Sequence, residues 1–282
     1  MYRIVFQSYS HYIKRGISMI KVVIAGARGK MGTEAVHTMM KKENVELVAV
    51  FDYKFDGQTL AQIDGFPASY QTPIYTNFEK LVSETNPDVL IDLTNPHAVY
   101  EHTKLALTHG VRPVVGTTGF TDEQLEELKT LSKGKGLGTI IAPNFAIGAI
   151  LMMKFAKEAA KYLPDVEIIE MHHDQKLDAP SGTGLKTAQM IQEVRSSKAQ
   201  GHPNEKETHE GARGADFDGM RIHSVRLPGL VAHQQVLFGG EGQLLTIRHD
   251  SLNRGSFMSG VAFCVDEVMK LEELVYGLEN LI

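Results

Sequence analysis

A chain of 282 residues has room for two domains, and 43% apolar against 22% charged residues is ordinary globular composition, which excludes wholesale disorder. Twenty-nine Lys and Arg against 34 Asp and Glu leave a net charge of −5, the wrong sign for a protein that lives on phosphate contacts with nucleic acid. The one cysteine, Cys264, rules out an internal disulfide, no Cys/His spacing fits a zinc or other metal site, and no run reaches the ~18 apolar residues of a membrane helix. A reducing compartment, the cytoplasm, follows as the expected location.

Residues 1–18 are irregular and lack a continuous apolar stretch, so they do not read as a secretory signal. Met19 stands directly before the first apolar run and reads as the functional start. The basic Lys14 and Arg15 leave a short organellar targeting peptide as the other reading. From 20 onward, short apolar runs at 20–25, 45–51, 89–93, 113–115 and 139–142 alternate with helical patterns at 30–42, 97–109 and 122–133. Near-continuous apolar strands separated by helices indicate a parallel sheet covered on both faces. The stretch between 52 and 73 is rich in Gly, Asp and Gln and reads as a surface excursion.

The second half has a different rhythm. A helical pattern at 150–162 leads to an apolar strand at 166–171 and another helix near 183–194. Residues 196–215 read as a long surface loop, a length that often marks a lid or an interface. Strand-like runs at 220–225, 235–238 and 244–248 follow, separated by Pro228-Gly229 and by the glycine-rich turn at 239–242. Strands in a row imply an antiparallel or mixed sheet and therefore a second, α+β domain. The segment 254–276 reads as a final helix.

Two places carry chemistry. Gly26-Ala27-Arg28-Gly29-Lys30-Met31-Gly32 joins the first strand to the first helix, and Asp52 ends the second strand 26 residues after Gly26. Strand, tight turn and helix put backbone N–H groups and the positive helix end against a pyrophosphate, while an acid at that place can accept ribose hydroxyls. The fold class expected is thus α/β, a Rossmann-like doubly wound parallel sheet, plus an α+β domain with a mixed or antiparallel sheet. NADH or NADPH is the expected cofactor: Asp52 favours NADH, whereas Lys54, after Tyr53, could meet a 2′-phosphate. The turns Gly116-Thr117-Thr118 and Ala142-Pro143-Asn144-Phe145 end later strands, on the edge where such sheets bind ligands.

The second place is Glu170-Met171-His172-His173-Asp174-Gln175-Lys176-Leu177-Asp178-Ala179-Pro180-Ser181-Gly182-Thr183-Gly184. Two histidines and a lysine gather proton donors and positive charge, and the amides at Ser181, Gly182 and Thr183 open a helix that can hold a carboxylate. Alone, the segment would also suit a buried core histidine and a solvated lysine.

This segment, with GARGKMG, VLIDLTNP, GTTGF and APNFAIG in the same order, resembles the 4-hydroxy-tetrahydrodipicolinate (dihydrodipicolinate) reductase family. The likeness runs from Met19 to the C-terminus. It implies hydride reduction of a small cyclic dicarboxylate in lysine and diaminopimelate biosynthesis. It also implies His172 and Lys176 as catalytic residues, and His173, Ser181, Gly182 and Thr183 as substrate-binding ones. Residues 26–31, Asp52, 116–118 and 142–145 would bind the cofactor. A homotetramer built through 220–248 is implied, as is a discontinuous dinucleotide domain (19–143 and 253–282) around a substrate and oligomerisation domain (144–252). The chain departs from the family pattern at Tyr53, where some members carry an arginine. The competing readings are a reductase of another amino or imino dicarboxylate, and a non-catalytic NAD-binding sensor.

Overall fold

The computed structural model describes residues 19–282, and the readings made for 1–18 lie outside them. In chain order the elements are β1 (Ile20–Ala25), α1 (Lys30–Met39), β2 (Val45–Phe51), β3 (Ile74–Tyr75), α2 (Phe78–Thr85), β4 (Val89–Asp92), α3 (Val99–Thr108), β5 (Arg112–Val115), α4 (Asp122–Lys135) and β6 (Thr139–Ile141). Then come α5 (Ile147–Ala160), β7 (Asp165–His172), α6 (Gly182–Gln192), β8 (Ala215–Phe217), β9 (Met220–Arg226), β10 (Ala232–Gly240), β11 (Gln243–Ser251), α7 (Met258–Val268) and β12 (Leu274–Tyr276). They form two compact units, one of the residues up to Phe145 with Phe257–Ile282, the other Ala146–Ser256.

The first unit is built on β1, whose last four residues, Val22 to Ala25, are consecutively and completely buried. Successive side chains of a strand point to opposite faces, so unbroken burial requires cover on both. Seven strands pair in the order β12-β6-β5-β4-β1-β2-β3, all parallel. The chain leaves β1 toward β2 and β3 on one side and returns to β4 on the other. The β1/β4 boundary is therefore the switch point, where the following loops diverge and leave a crevice.

The C-terminal segment belongs to this unit for packing reasons. A Cβ on Gly260 of α7 would lie 1.9 Å from the Phe145 carbonyl oxygen, so the helix sits directly on the chain leaving β6. Asp266 on α7 also accepts from Lys42 Nζ at 2.8 Å and Asn44 Nδ2 at 2.9 Å. Cys264 is wholly buried there, and burial pushes its thiol up to about 12, so it supplies no thiolate at neutral pH.

The expectation of one helix over 254–276 is corrected: α7 ends at Val268 and the chain then adds β12 beside β6, Leu274 opposite Thr139. Three partly exposed residues carry no readable periodicity, and only the edge of β6 makes them a strand. For the same reason β3 and β8, of two and three residues, were not legible.

In the second unit β11-β10-β7-β9-β8 form a mixed sheet in which β7 and β9 alone are parallel. On β7, Val166, Ile168 and Glu170 are buried while Glu167, Ile169 and Met171 are half-buried. The buried face packs on Ala156 and Ala160 of α5 and Ala188 and Ile191 of α6, around Val236 and Phe238. Each such large apolar side chain contributes about 1.5–3 kcal/mol. Glu170 therefore sits in the row of an apolar core, which is the structural origin of the second site below.

Candidate active site

The crevice at the switch point is a cavity of ≈ 600 Å³ lined by Gly26, Arg28, Gly29, Asp52, Tyr53 and Leu93, among others. Gly26 has φ +82°, and a Cβ there would stand 2.7 Å from the Leu93 carbonyl oxygen. Both facts demand glycine. A Cβ on Gly32 would lie 2.0 Å from Gly26 O, so α1 rests against the turn itself. No side chain caps α1, and its first turn holds no acid but begins with Lys30. A helix start of that kind is electrostatically prepared for an anion.

Asp52 does not stand alone. Arg28 grips it with Nε to Oδ2 and Nη2 to Oδ1, each 2.9 Å, and the Lys54 amide donates to Oδ1 at 3.0 Å. The Asp52 bond holds the guanidinium above its ordinary range. Arg28 also lies over the Tyr53 and Phe55 rings, 5.2 and 5.1 Å from their centroids. Arg28, then Lys54, pull the exposed Tyr53 phenol below its usual value.

The remaining candidates for the cofactor gather nearby without lining the cavity. Ala27 is buried, and its carbonyl accepts from Thr33 Oγ1. A Cβ on Gly116 would meet the Phe145 ring at 2.6 Å and Leu93 at 2.7 Å, so the ends of β4, β5 and β6 converge here. Ala142 is buried, its amide bonded to Val115 O, while Asn144 is half-buried and Thr118 and Pro143 are exposed. Met31 is half-buried in the first turn of α1. Sequence reasoning missed Asp92, a fully buried carboxylate at the end of β4. It accepts from Thr94 N, Thr94 Oγ1, Thr117 Oγ1 and His102 Nδ1 at 3.0, 2.6, 3.3 and 2.8 Å, tying the loops after β4 and β5 together. An acid closing the apolar run of β4 was the available signal.

The second site lies at the end of β7. His172 shares the core-facing side of the strand with Glu170, and its Nδ1 lies 2.5 Å from Glu170 Oε2. Glu170 also accepts from the Ser181 amide at 3.2 Å and from both terminal nitrogens of Arg226, at 2.9 and 2.8 Å. Burial alone would raise this carboxyl. The bonds from His172, Arg226 and Ser224 outweigh it and hold Glu170 at about 2. Ser181 caps α6 by accepting from Gly184 N at 3.1 Å. A Cβ on Gly182 would meet nothing within 4 Å, so the helix start opens on free space, with Thr183 half-buried beside it. The His173 carbonyl accepts from the Lys176 amide at 3.2 Å, and Lys176 Nζ pairs with Asp178 Oδ1 at 2.6 Å. His172 and Lys176 thus each have a carboxylate partner of their own.

Residues 20–145 match the family model described as dihydrodipicolinate reductase, N-terminus, and 148–282 match that of its C-terminus. The chain belongs to the dihydrodipicolinate reductase family. It is 78% identical over 263 residues to the 4-hydroxy-tetrahydrodipicolinate reductase of Lysinibacillus sphaericus, a match covering 93% of this chain and 99% of that one. The enzyme of the same name from Oceanobacillus iheyensis is 64% identical over an equal span, 93% and 99% of the two chains. A solved dipicolinate-bound dihydrodipicolinate reductase from Paenisporosarcina sp. TG-14 is 67% identical, superposes with a TM-score of 0.86, and covers 94% of this chain and 100% of its own.

At the second site of this reductase sequence reasoning named Glu170 without giving it a role and missed Arg226. The signal was present in part, since an acid occupies an inward position in the row Val166, Ile168, Glu170. Arg226 lies 56 positions away, and only the parallel pairing of β7 with β9 brings it there. The depressed Glu170 carboxyl contributes stability that is complete above the ordinary carboxylate value of 4.5 and is lost as pH falls toward about 2. In denaturant titrations, the stability gap between the wild type and Glu170→Gln is therefore expected to close over that interval.

Proposed function

We infer that this chain reduces 4-hydroxy-tetrahydrodipicolinate to tetrahydrodipicolinate with NADH or NADPH, the reductive step of lysine and diaminopimelate biosynthesis. The observation that carries the reading is the His172–Glu170 pair beside the Ser181-capped helix start, in a chain 78% identical to a reductase of that name. The first unit holds the dinucleotide and the second the substrate. The glycine turn, whose cradle a Cβ would fill, and the uncapped start of α1 fit a pyrophosphate; Asp52 and Arg28 fit the adenosine ribose. Bound there, the reduced nicotinamide supplies the hydride.

The rest falls to this chain's own side chains. His172 Nδ1 is committed to Glu170, so Nε2 is the ring atom that exchanges the proton with the substrate. The α6 start at Ser181, Gly182 and Thr183, with His173, receives a carboxylate, as the dipicolinate held by the Paenisporosarcina enzyme supports. Lys176 holds a second carboxylate or donates a proton. The half-buried Ile169, Met171 and Leu237 share the outer face of the second sheet with the exposed Leu244, and a homotetramer would use that face. A soluble nicotinamide co-substrate suits work in the cytoplasm. Among the described residues no helix is long and apolar enough to cross a membrane.

The deciding assay follows nicotinamide absorbance with substrate made freshly from pyruvate and aspartate semialdehyde by the preceding synthase, NADH and NADPH in parallel. Substrate-dependent oxidation is expected; binding of both cofactors without oxidation of either would defeat the substrate assignment. Cofactor choice follows from the Arg28–Asp52 pair. NADH engages the Asp52 carboxylate, whereas a 2′-phosphate takes Arg28. Asp52→Asn is expected to weaken NADH about tenfold, the worth of a hydrogen bond to a charged group, while NADPH holds or tightens. Fluorescence titration with each cofactor reads this, and equal weakening would refute it.

A further inference from the structure

Glu170 and Arg226 stand behind the groups that the reading above gives to substrate. Glu170 takes the Ser181 amide itself, which leaves the following amides, from Gly182 on, for the carboxylate, and together the pair links all the elements that would hold substrate. Glu170 is fully buried and takes His172 Nδ1, the Ser181 amide and both terminal nitrogens of Arg226. Arg226 Nη2 also donates to the Asp178 carbonyl at 2.6 Å, and the Asp178 carboxylate in turn holds Lys176 Nζ. The bonds run without interruption from the candidate proton donor, through the carboxylate-binding helix start, to the lysine loop. We propose that the Glu170–Arg226 pair is a positioning clamp that holds His172, the α6 start and the Lys176 loop in one geometry.

The proposal rests on the reductase reading and has its own physical warrant. An ion pair whose carboxylate is fully buried is costly, and well-packed apolar residues of similar volume usually stabilise a fold at least as well. What apolar residues lack is the planar fork of arginine, which bonds a carboxylate with two nitrogens while still reaching a carbonyl. Small misplacements of reacting groups cost rate out of proportion to their size.

The experiment compares Glu170→Gln, Arg226→Lys and the double variant Glu170→Met/Arg226→Met with the wild type, scaling kcat to the fraction of chains that bind NADH. The clamp predicts kcat lowered ~10–10²-fold in each, with KM raised and NADH affinity unchanged. It further predicts that the double variant regains thermal stability without regaining kcat. A purely structural pair predicts the reverse, recovery of both. Proton NMR of the wild type, labelled with ¹⁵N at histidine, gives a readout independent of turnover. A strongly shifted Nδ1–H signal of His172 should be present there and lost in Glu170→Gln. Wild-type kcat and KM in any folded variant overturn the clamp, as does absence of that signal from the wild type. An inactive wild type that shows the signal, lost in Glu170→Gln, would defeat the substrate reading and leave the clamp standing.

Discussion

Replacing His172 with Gln is expected to lower kcat by ~10²-fold or more, the range for losing a general acid, while NADH affinity stays unchanged. A glutamine can still donate an amide hydrogen to Glu170, so the local bonding survives. What it lacks is an ionisable proton for the substrate as hydride adds to the ring. The imidazole side chain is only 14% exposed, which leaves bulk water little access to take over the transfer. Steady-state kinetics with saturating cofactor, together with an NADH titration of the same variant, test both halves. Full activity in the His172→Gln enzyme would move the proton to another group of the same segment, His173 or Lys176. The two units separate these readouts, because the glycine turn and Asp52 lie in one and His172 in the other.

Gly32→Ala is expected to weaken NADH binding ~10–10²-fold, since overpacking costs about 1–3 kcal/mol and 1.4 kcal/mol is a decade of affinity. The new methyl would stand 2.0 Å from Gly26 O, 2.7 Å from Gly26 C and 2.8 Å from Ala27 Cα. All three are backbone atoms of the turn, so no rotamer change relieves the overlap. Either α1 retreats or the turn opens, and both displace the amides that the proposed function gives to the pyrophosphate. Gly134→Ala on the exposed side of α4 is the control, since a Cβ there meets nothing within 4 Å, and it is expected to bind NADH as the wild type does. Fluorescence titration decides, with dipicolinate binding checking the second unit. Unchanged NADH affinity in folded Gly32→Ala would refute this turn as the cofactor cradle.

Strands buried on both faces and amphipathic helices wrote the first unit plainly into the sequence, because burial of consecutive apolar residues leaves an unbroken run. The short strands β3, β8 and β12 stayed hidden, since two or three residues hold no period. Candidate residues confined to one turn, such as Gly26, Arg28 and Gly29, were legible, as were His172 and Lys176 within one segment. The partners they acquire were not. Arg28 and Asp52 were both read as cofactor residues, and only the adjacency of β1 and β2 reveals that they grip one another.

By itself, then, the sequence determined the fold class and located the glycine turn and the histidine–lysine segment, because each depends on local spacing or on the period of burial. The tertiary structure decided which groups bond to those residues. Glu170 and Arg226 lie 56 positions apart, and so do not share any local pattern, until the parallel register of β7 with β9 sets His172 opposite Arg226. Asp92 likewise becomes a hub only when β5 and α3 deliver Thr117 and His102 to it. Hydrogen bonding acts over about 3 Å in space whatever the distance along the chain, and chain separation is all that a sequence records.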